Sequence, residues 1–193
     1  MATVGRYAKG EAKRAQIMAA ALEVLERDGE AAASMRVIAK KAGISLAGLM
    51  HYFPTRDVLL TELQRDGDAK FEEWYRNTRV DVDPGEVLAQ AMADKAAKPG
   101  SGTVHLSLAA AAAVDPSHPA AEYLRERYER MRAIIGGDVR RRQKAGTVPA
   151  HVDAEFAAAA LISAADGIQI QWMSDPAVDM GDHVRKVWAK LLA

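Results

Sequence analysis

The 193-residue chain contains no cysteine, which removes disulfide frameworks, thiolate metal sites and cysteine nucleophiles from consideration and argues against a disulfide-held secreted fold. Proline and glycine are not in excess, at 7 and 14 residues, and aromatic residues make up only 6%. β-Branched and aromatic runs are rare while alanine is frequent, so propensity points to helix along nearly the whole chain and no sheet is expected. Long hydrophobic runs are also missing. The stretches Leu106 to Val114 and Ala157 to Ala165 fall well short of a membrane span. The N-terminus is polar and basic without an apolar leader core, so a soluble, cytoplasmic protein with no membrane partner is expected. There is no surplus of either charge, with 26 basic against 26 acidic residues.

What is present fits a globular core, with 49% hydrophobic and 27% charged residues in a length suited to one or two compact units. The balanced charge is unevenly placed. Residues 1–56 hold nine Lys/Arg (Arg6, Lys9, Lys13, Arg14, Arg27, Arg36, Lys40, Lys41, Arg56) and five acids, a net +4, which leaves −4 for residues 57–193. A basic head on an acidic body suits a protein that approaches DNA with one end.

The spacing of Ile17, Ala20, Ala21, Val24 and Leu25 predicts a helix over about 13–27, stopped at Asp28-Gly29 in the manner of a C-terminal glycine. Ser34 is an N-cap candidate for a short helix carrying Val37, Ile38 and Ala42. Gly43 ends it, and Ser45 opens a second short helix that runs to Tyr52 or Phe53 and is closed by Pro54. Helices this short are not stable alone, so they must pack on each other and on the first through Ile38, Ala39, Ile44, Leu49 and Phe53. This is a three-helix module with a helix-turn-helix. Thr55, with Asp57 in the following turn, opens a long fourth helix through Leu59, Leu60, Leu63, Phe71 and Trp74 to about Thr78. Later helices are expected near 85–97, 103–114, 120–144, 152–173 and 179–192. They are separated at residues 81–85, 98–102, 114–119, 145–149 and 174–176, with Gly136-Gly137 softening or kinking the helix over 120–144,. The expectation is an all-α chain: a helix-turn-helix domain over 1–55 and a second helical domain over 56–193.

The run Ser34 to Ser45, followed by Gly48-Leu49-Met50-His51-Tyr52-Phe53-Pro54-Thr55-Arg56-Asp57-Val58-Leu59-Leu60, resembles the TetR/AcrR family of regulators. The likeness covers roughly residues 12–63, with Ala165-Asp166-Gly167-Ile168 before a final Asp-Pro loop a weaker agreement. Ala47-Gly48-Leu49-Met50 stands where the family usually has Gly-Thr-Leu-Tyr, and Met35 where a hydroxyl is usual. By the geometry of a helix in the major groove and by the family's pattern, Leu46, Ala47 and Met50 would touch bases or thymine methyls. Ser45, His51, Tyr52 and Arg56 would hold phosphates, Arg36 would contact guanine, and Ser34 is a further candidate DNA-binding residue. Residues 1–13 would form a mobile basic arm. Outside such a motif Leu46 and Met50 would read as core, and Ser45 and Thr55 as caps alone.

The resemblance also implies a homodimer matched to a palindromic operator, and an effector cavity. Phe156, Ala160, Ser163, Gly167 and Ile170 form a stripe of small and apolar residues for a partner helix, joined by Val184, Val187, Trp188 and Leu191. Leu161, Ala165, Ile168 and Trp172 face the protomer's own core. Trp74, Met92, His105, Tyr128, Met131, Gln169 and Trp172 are the candidate effector contacts, suited to a small, mostly apolar ligand. The cluster Arg140, Arg141, Arg142 and Lys144 reads as cations at a helix C-terminus. The five histidines have no metal-ligand spacing, and there is no nucleophile elbow, phosphate loop or dinucleotide fingerprint, so no enzyme, metal or cofactor is expected. A ligand-responsive repressor is the resulting expectation. A helical ligand-binding protein or enzyme that has lost specific DNA binding is the alternative.

Overall fold

The computed structural model describes residues 2–78, 83–98 and 102–193, and among these no strand occurs. The helices are α1 (Ala2–Asp28), α2 (Met35–Lys41), α3 (Leu46–Tyr52), α4 (Arg56–Thr78), α5 (Pro84–Ala97), α6 (Val104–Val114), α7 (Ala120–Lys144), α8 (Ala154–Ser174) and α9 (Met180–Leu191), with a 3₁₀ turn at Glu30–Ala32. The chain is all-α, and the later helix ends fall within two residues of those expected. The breaks near 81–82 and 99–101 lie outside the described residues.

One expectation changes. The stretch expected as a mobile arm is helical, α1 running from Ala2. Ala2 to Lys13 is rich in Ala, Lys, Arg and Glu, has no proline, and pays only the helix cost of Gly5 and Gly10, about 1 kcal/mol each. The helix α7 spans Gly136-Gly137, over the bounds expected for it. Gly136 is explained by packing, since a Cβ there would meet the Ala154 carbonyl oxygen at 3.4 Å.

Two compact units emerge. The first comprises Met1–Phe71 with Lys98–Ala121 and the second Glu72–Ala97 with Glu122–Ala193, so the expected boundary at residue 55 lies inside the first. In the first unit, Ile17, Ala21, Val24, Leu25, Ile38, Leu49, Phe53, Leu59 and Leu60 are essentially inaccessible. Gly29 stops α1 with φ 80°, its N–H reaching back to the Leu25 carbonyl at 3.0 Å. The second unit is built on α5, α8 and α9, with Ala89, Met92, Val139, Ala158, Leu161, Ala165, Ile168, Trp172, Met180, Val184 and Trp188 in one buried cluster. The Trp188 indole lies over Gly85, where a Cβ would overlap it.

Candidate nucleic-acid interface and effector region

The helix-turn-helix is shaped by two local serine caps and one glycine. Ser34 is extended (φ −78°, ψ 155°) and its hydroxyl accepts from Val37 N–H at 3.3 Å. Ser45 is likewise extended, accepting from Gly48 N–H at 3.0 Å. Each supplies an acceptor to an N–H that has no partner within its helix. Between the helices Gly43 adopts φ 65°, a left-handed turn conformation that glycine reaches without Cβ strain. Ile44 N–H then closes on the Ala39 carbonyl at 3.0 Å.

The short α3 buries Leu49 and leaves Ala47, His51 and Met50 exposed, Met50 at 48%, with Leu46 and Tyr52 half-buried. Its exposed face is therefore mainly apolar at the positions expected to meet bases. On α2, Arg36 and Lys40 stand one turn apart, both exposed, and neither has an ion-pair partner among the described residues. Lys40 was missed by sequence reasoning. It is distinguished from Lys41 only by the ion pair that Lys41 makes with Glu23, a contact eighteen residues away.

Several basic residues of the head turn inward. Arg56, expected at phosphate, donates from Nε to the Ala33 carbonyl (3.0 Å) and from Nη2 to the Glu30 carbonyl (2.7 Å). Its role in the structure is to hold the turn before α2. Arg14 donates to the Tyr52 carbonyl and to Glu62, each at 3.2 Å, and stacks over Phe53 at 4.6 Å. Gln16 donates to the Ala42 carbonyl at 2.9 Å. Together these fix the C-terminal ends of α2 and α3 to α1.

On α8 the expected division of faces is present. Leu161, Ala165, Ile168 and Trp172 are buried, while Phe156 and Ile170 are exposed at 64% and 58%, with Ser163 and Met173 also exposed and Ala160 and Gly167 half-buried. On α9, two of the four residues expected at the interface turn inward. Val184 and Trp188 are buried in the second unit's own core, because α9 packs its apolar face on α5 within the protomer. Val187 and Leu191 are half-buried.

The expected effector contacts are dispersed. Met92, Gln169 and Trp172 are buried, and Gln169 accepts from Lys95 at 3.3 Å. Trp74 is 49% exposed, and Tyr128 and Met131 are half-buried. His105 is buried in the first unit. The second unit instead has a cleft of about 360 Å³ lined by Glu72, Tyr75, Arg76, Ala133, Ile134, Gly137, Asp138 and Arg141. None of these was anticipated. Their signal was indirect: Ala133 and Gly137 leave room one turn apart on α7, opposite the polar residues of α4. Asp138 is buried there, accepting from the Tyr75 hydroxyl and paired with Arg141. The Tyr128 hydroxyl donates to Asp166 at 2.7 Å. Burial, reinforced by the adjacent carboxylates, pushes both phenols well above their ordinary range,.

A capped, glycine-turned pair of short helices on a supporting helix, followed by a separate helical unit, defines a helix-turn-helix regulator. The chain belongs to the tetR family of bacterial regulatory proteins and is a TetR-family transcriptional regulator: residues 17–63 match that family, and residues 85–193 match the family of BetI-type transcriptional repressor C-terminal domains. The HTH-type transcriptional regulator PksA of Bacillus subtilis is 37% identical over 83 residues, 42% of this chain and 40% of that protein. The match thus spans well under half of that relative's length. Among solved structures, a TetR regulator from Haloarcula marismortui superposes with TM-score 0.74 at 20% identity, over 94% of this chain and 97% of that one. A Saccharomonospora viridis regulator in complex with choline gives TM-score 0.68 at 23% identity over 92% and 93%. Thermus thermophilus FadR with lauroyl-CoA gives 0.60 at 21% over 93% of each. These likenesses show the fold. No helix among the described residues is long and apolar enough to cross a membrane.

Proposed function

We propose that the protein is a homodimeric repressor that binds a palindromic operator and is released by a small-molecule effector taken up by its second unit. The observation that carries this reading is the α3 surface. Ala47, Met50 and His51 are exposed on a capped helix whose remaining side chains anchor it, which is the arrangement needed to read base edges,. Arg36 and Lys40 supply cations for guanine or phosphate, and Ser45, the cap of α3, fixes the start of the helix that carries the exposed face. Apolar Ala47 and Met50 favour thymine methyls. The stripe of Phe156, Ala160, Ser163, Gly167 and Ile170 supports a twofold interface, since the exposed Phe156 and Ile170, with small residues between them, otherwise stay in contact with water.

The effector reading is supported by the ligands held by the choline and lauroyl-CoA complexes of similar fold, and by the mixed surface of the second unit. Aromatic and aliphatic side chains such as Trp74, Tyr128 and Met131 stand with a few polar groups, which suits a mostly apolar ligand with a polar end. The effector acts by preferring a conformation in which the two recognition helices no longer match successive major grooves.

Selection of DNA fragments bound by the purified protein at physiological salt tests the proposal, since at low salt the sequence-independent phosphate attraction masks discrimination. Enrichment of one palindromic sequence is expected. Recovery of unselected sequence in proportion to input would overturn it and favour a ligand-binding protein without operator recognition.

A further inference from the structure

The turn between α1 and α2 is held by a segment far downstream in the chain. Glu30 opens that turn, and its side chain is only 16% exposed. Its Oε2 accepts from the Thr103 hydroxyl at 2.8 Å and from the Ser107 hydroxyl at 2.9 Å. Its Oε1 lies 3.5 Å from Arg56 Nη2, and the same guanidinium holds the Glu30 and Ala33 carbonyls. Ser34, the cap of α2, follows directly. A largely buried carboxylate needs its full set of donors, so the location of these donors decides where the turn sits. Two further ties join the same parts of the first unit: Lys98 to Glu26 at 3.0 Å and His118 Nε2 to Asp57 at 3.5 Å.

The donors come from a stretch with two affiliations. Residues Lys98–Ala121 pack within the first unit yet fall inside the region that matches the repressor C-terminal family. The ends of this stretch run on into α5 and α7. A hydrogen bond weakens steeply with distance and angle, so a small displacement of α6 removes two of the three donors from Glu30.

We propose that Glu30 is a positioning residue for the DNA-reading helices, held in place by the Thr103 and Ser107 hydroxyls of the α6 region. This rests on the operator-binding reading above. Operator discrimination thus depends on a specific pair of hydroxyls outside the helix-turn-helix.

The test compares operator and random-sequence DNA affinity for the wild-type protein, a Thr103→Val/Ser107→Ala double variant, the single Ser107→Ala variant and Thr103→Ser, with amide hydrogen exchange over residues 33–41 in the free protein. Losing donors to a charged acceptor is expected to lower operator affinity about tenfold in the double variant. Random-DNA affinity and helical content should stay near wild type, exchange over 33–41 should accelerate, and Thr103→Ser should restore both values. Should the double variant fold poorly, Ser107→Ala is expected to show the same selective loss at smaller size. An unchanged ratio of operator to random affinity with unchanged exchange, or an equal fall in both affinities, would overturn the proposal. A wild-type protein without operator preference would instead refute the operator reading, while accelerated exchange in the variants would still register the link between α6 and the turn.

Discussion

Individual side chains in the head divide into those that build it and those left for DNA. Arg14 and Arg56 are committed to carbonyls and carboxylates of their own unit, whereas Arg36 and Lys40 point to no partner among the described residues. The Arg36→Ala variant is therefore expected to weaken operator binding by roughly 1–3 kcal/mol if the guanidinium takes a guanine bidentately. Equilibrium titration with operator DNA measures it, and an unaltered dissociation constant would exclude that role. Composition and charge made the basic head visible in the sequence. They did not separate structural from exposed cations, because the partners that claim Arg14 and Arg56 lie 23 to 48 residues away in the chain. Ser34, Ser45 and Gly43 were legible for the opposite reason: a cap or a glycine turn acts on N–H groups within three residues.

Helices, taken as elements, were largely readable from the sequence, since their breaks carry Pro, Gly or Asp and their apolar spacing is regular. What a buried face packs against was less readable. The stripe Val184, Trp188 on α9 announced burial correctly, but an amphipathic pattern does not specify whether the opposing surface is α5 of the same protomer or a second chain. The close fit of Gly85 beneath Trp188 gives this pairing a measurable consequence. Gly85→Ala should destabilise the second unit by roughly 1–3 kcal/mol through overpacking, read as a lowered midpoint in denaturant titration. An unaffected midpoint would contradict the α5–α9 contact. The two carboxylate-bonded phenols make a second element-level prediction. Tyr75 on α4 and Tyr128 on α7 hydrogen-bond to carboxylates and have folded-state pKa values raised above the ordinary 10.0. For groups raised on folding, the stabilisation is complete below the unfolded value and declines as pH climbs past it. Stability should thus fall above about pH 10, and the tyrosinate absorbance of these two side chains should appear together with loss of helical signal rather than before it. Tyrosinate formation from all five tyrosines in a still-folded protein would count against their burial.

For the whole molecule, the two compact units and the exposed α8 stripe set the expected behaviour. Phe156→Glu/Ile170→Glu should give a folded monomer, because both side chains are exposed within the protomer and a charge there meets only a partner. By contrast, Trp188→Ala should cost about 3–5 kcal/mol of fold stability without acting on assembly first. Sedimentation together with thermal melting distinguishes these outcomes, and a dimer that survives both glutamates would place the interface elsewhere. A monomeric variant should also lose operator affinity, since each protomer offers one recognition helix while a palindrome presents two half-sites one helical turn apart. The most direct test of the account is therefore a titration of wild-type protein and the Phe156→Glu/Ile170→Glu variant against DNA carrying the selected palindrome, a single half-site, or scrambled sequence. The account predicts two wild-type protomers bound per palindrome, with strong preference over half-site and scrambled DNA, and loss of that preference in the variant; equal affinity of the wild-type protein for all three DNAs would contradict it.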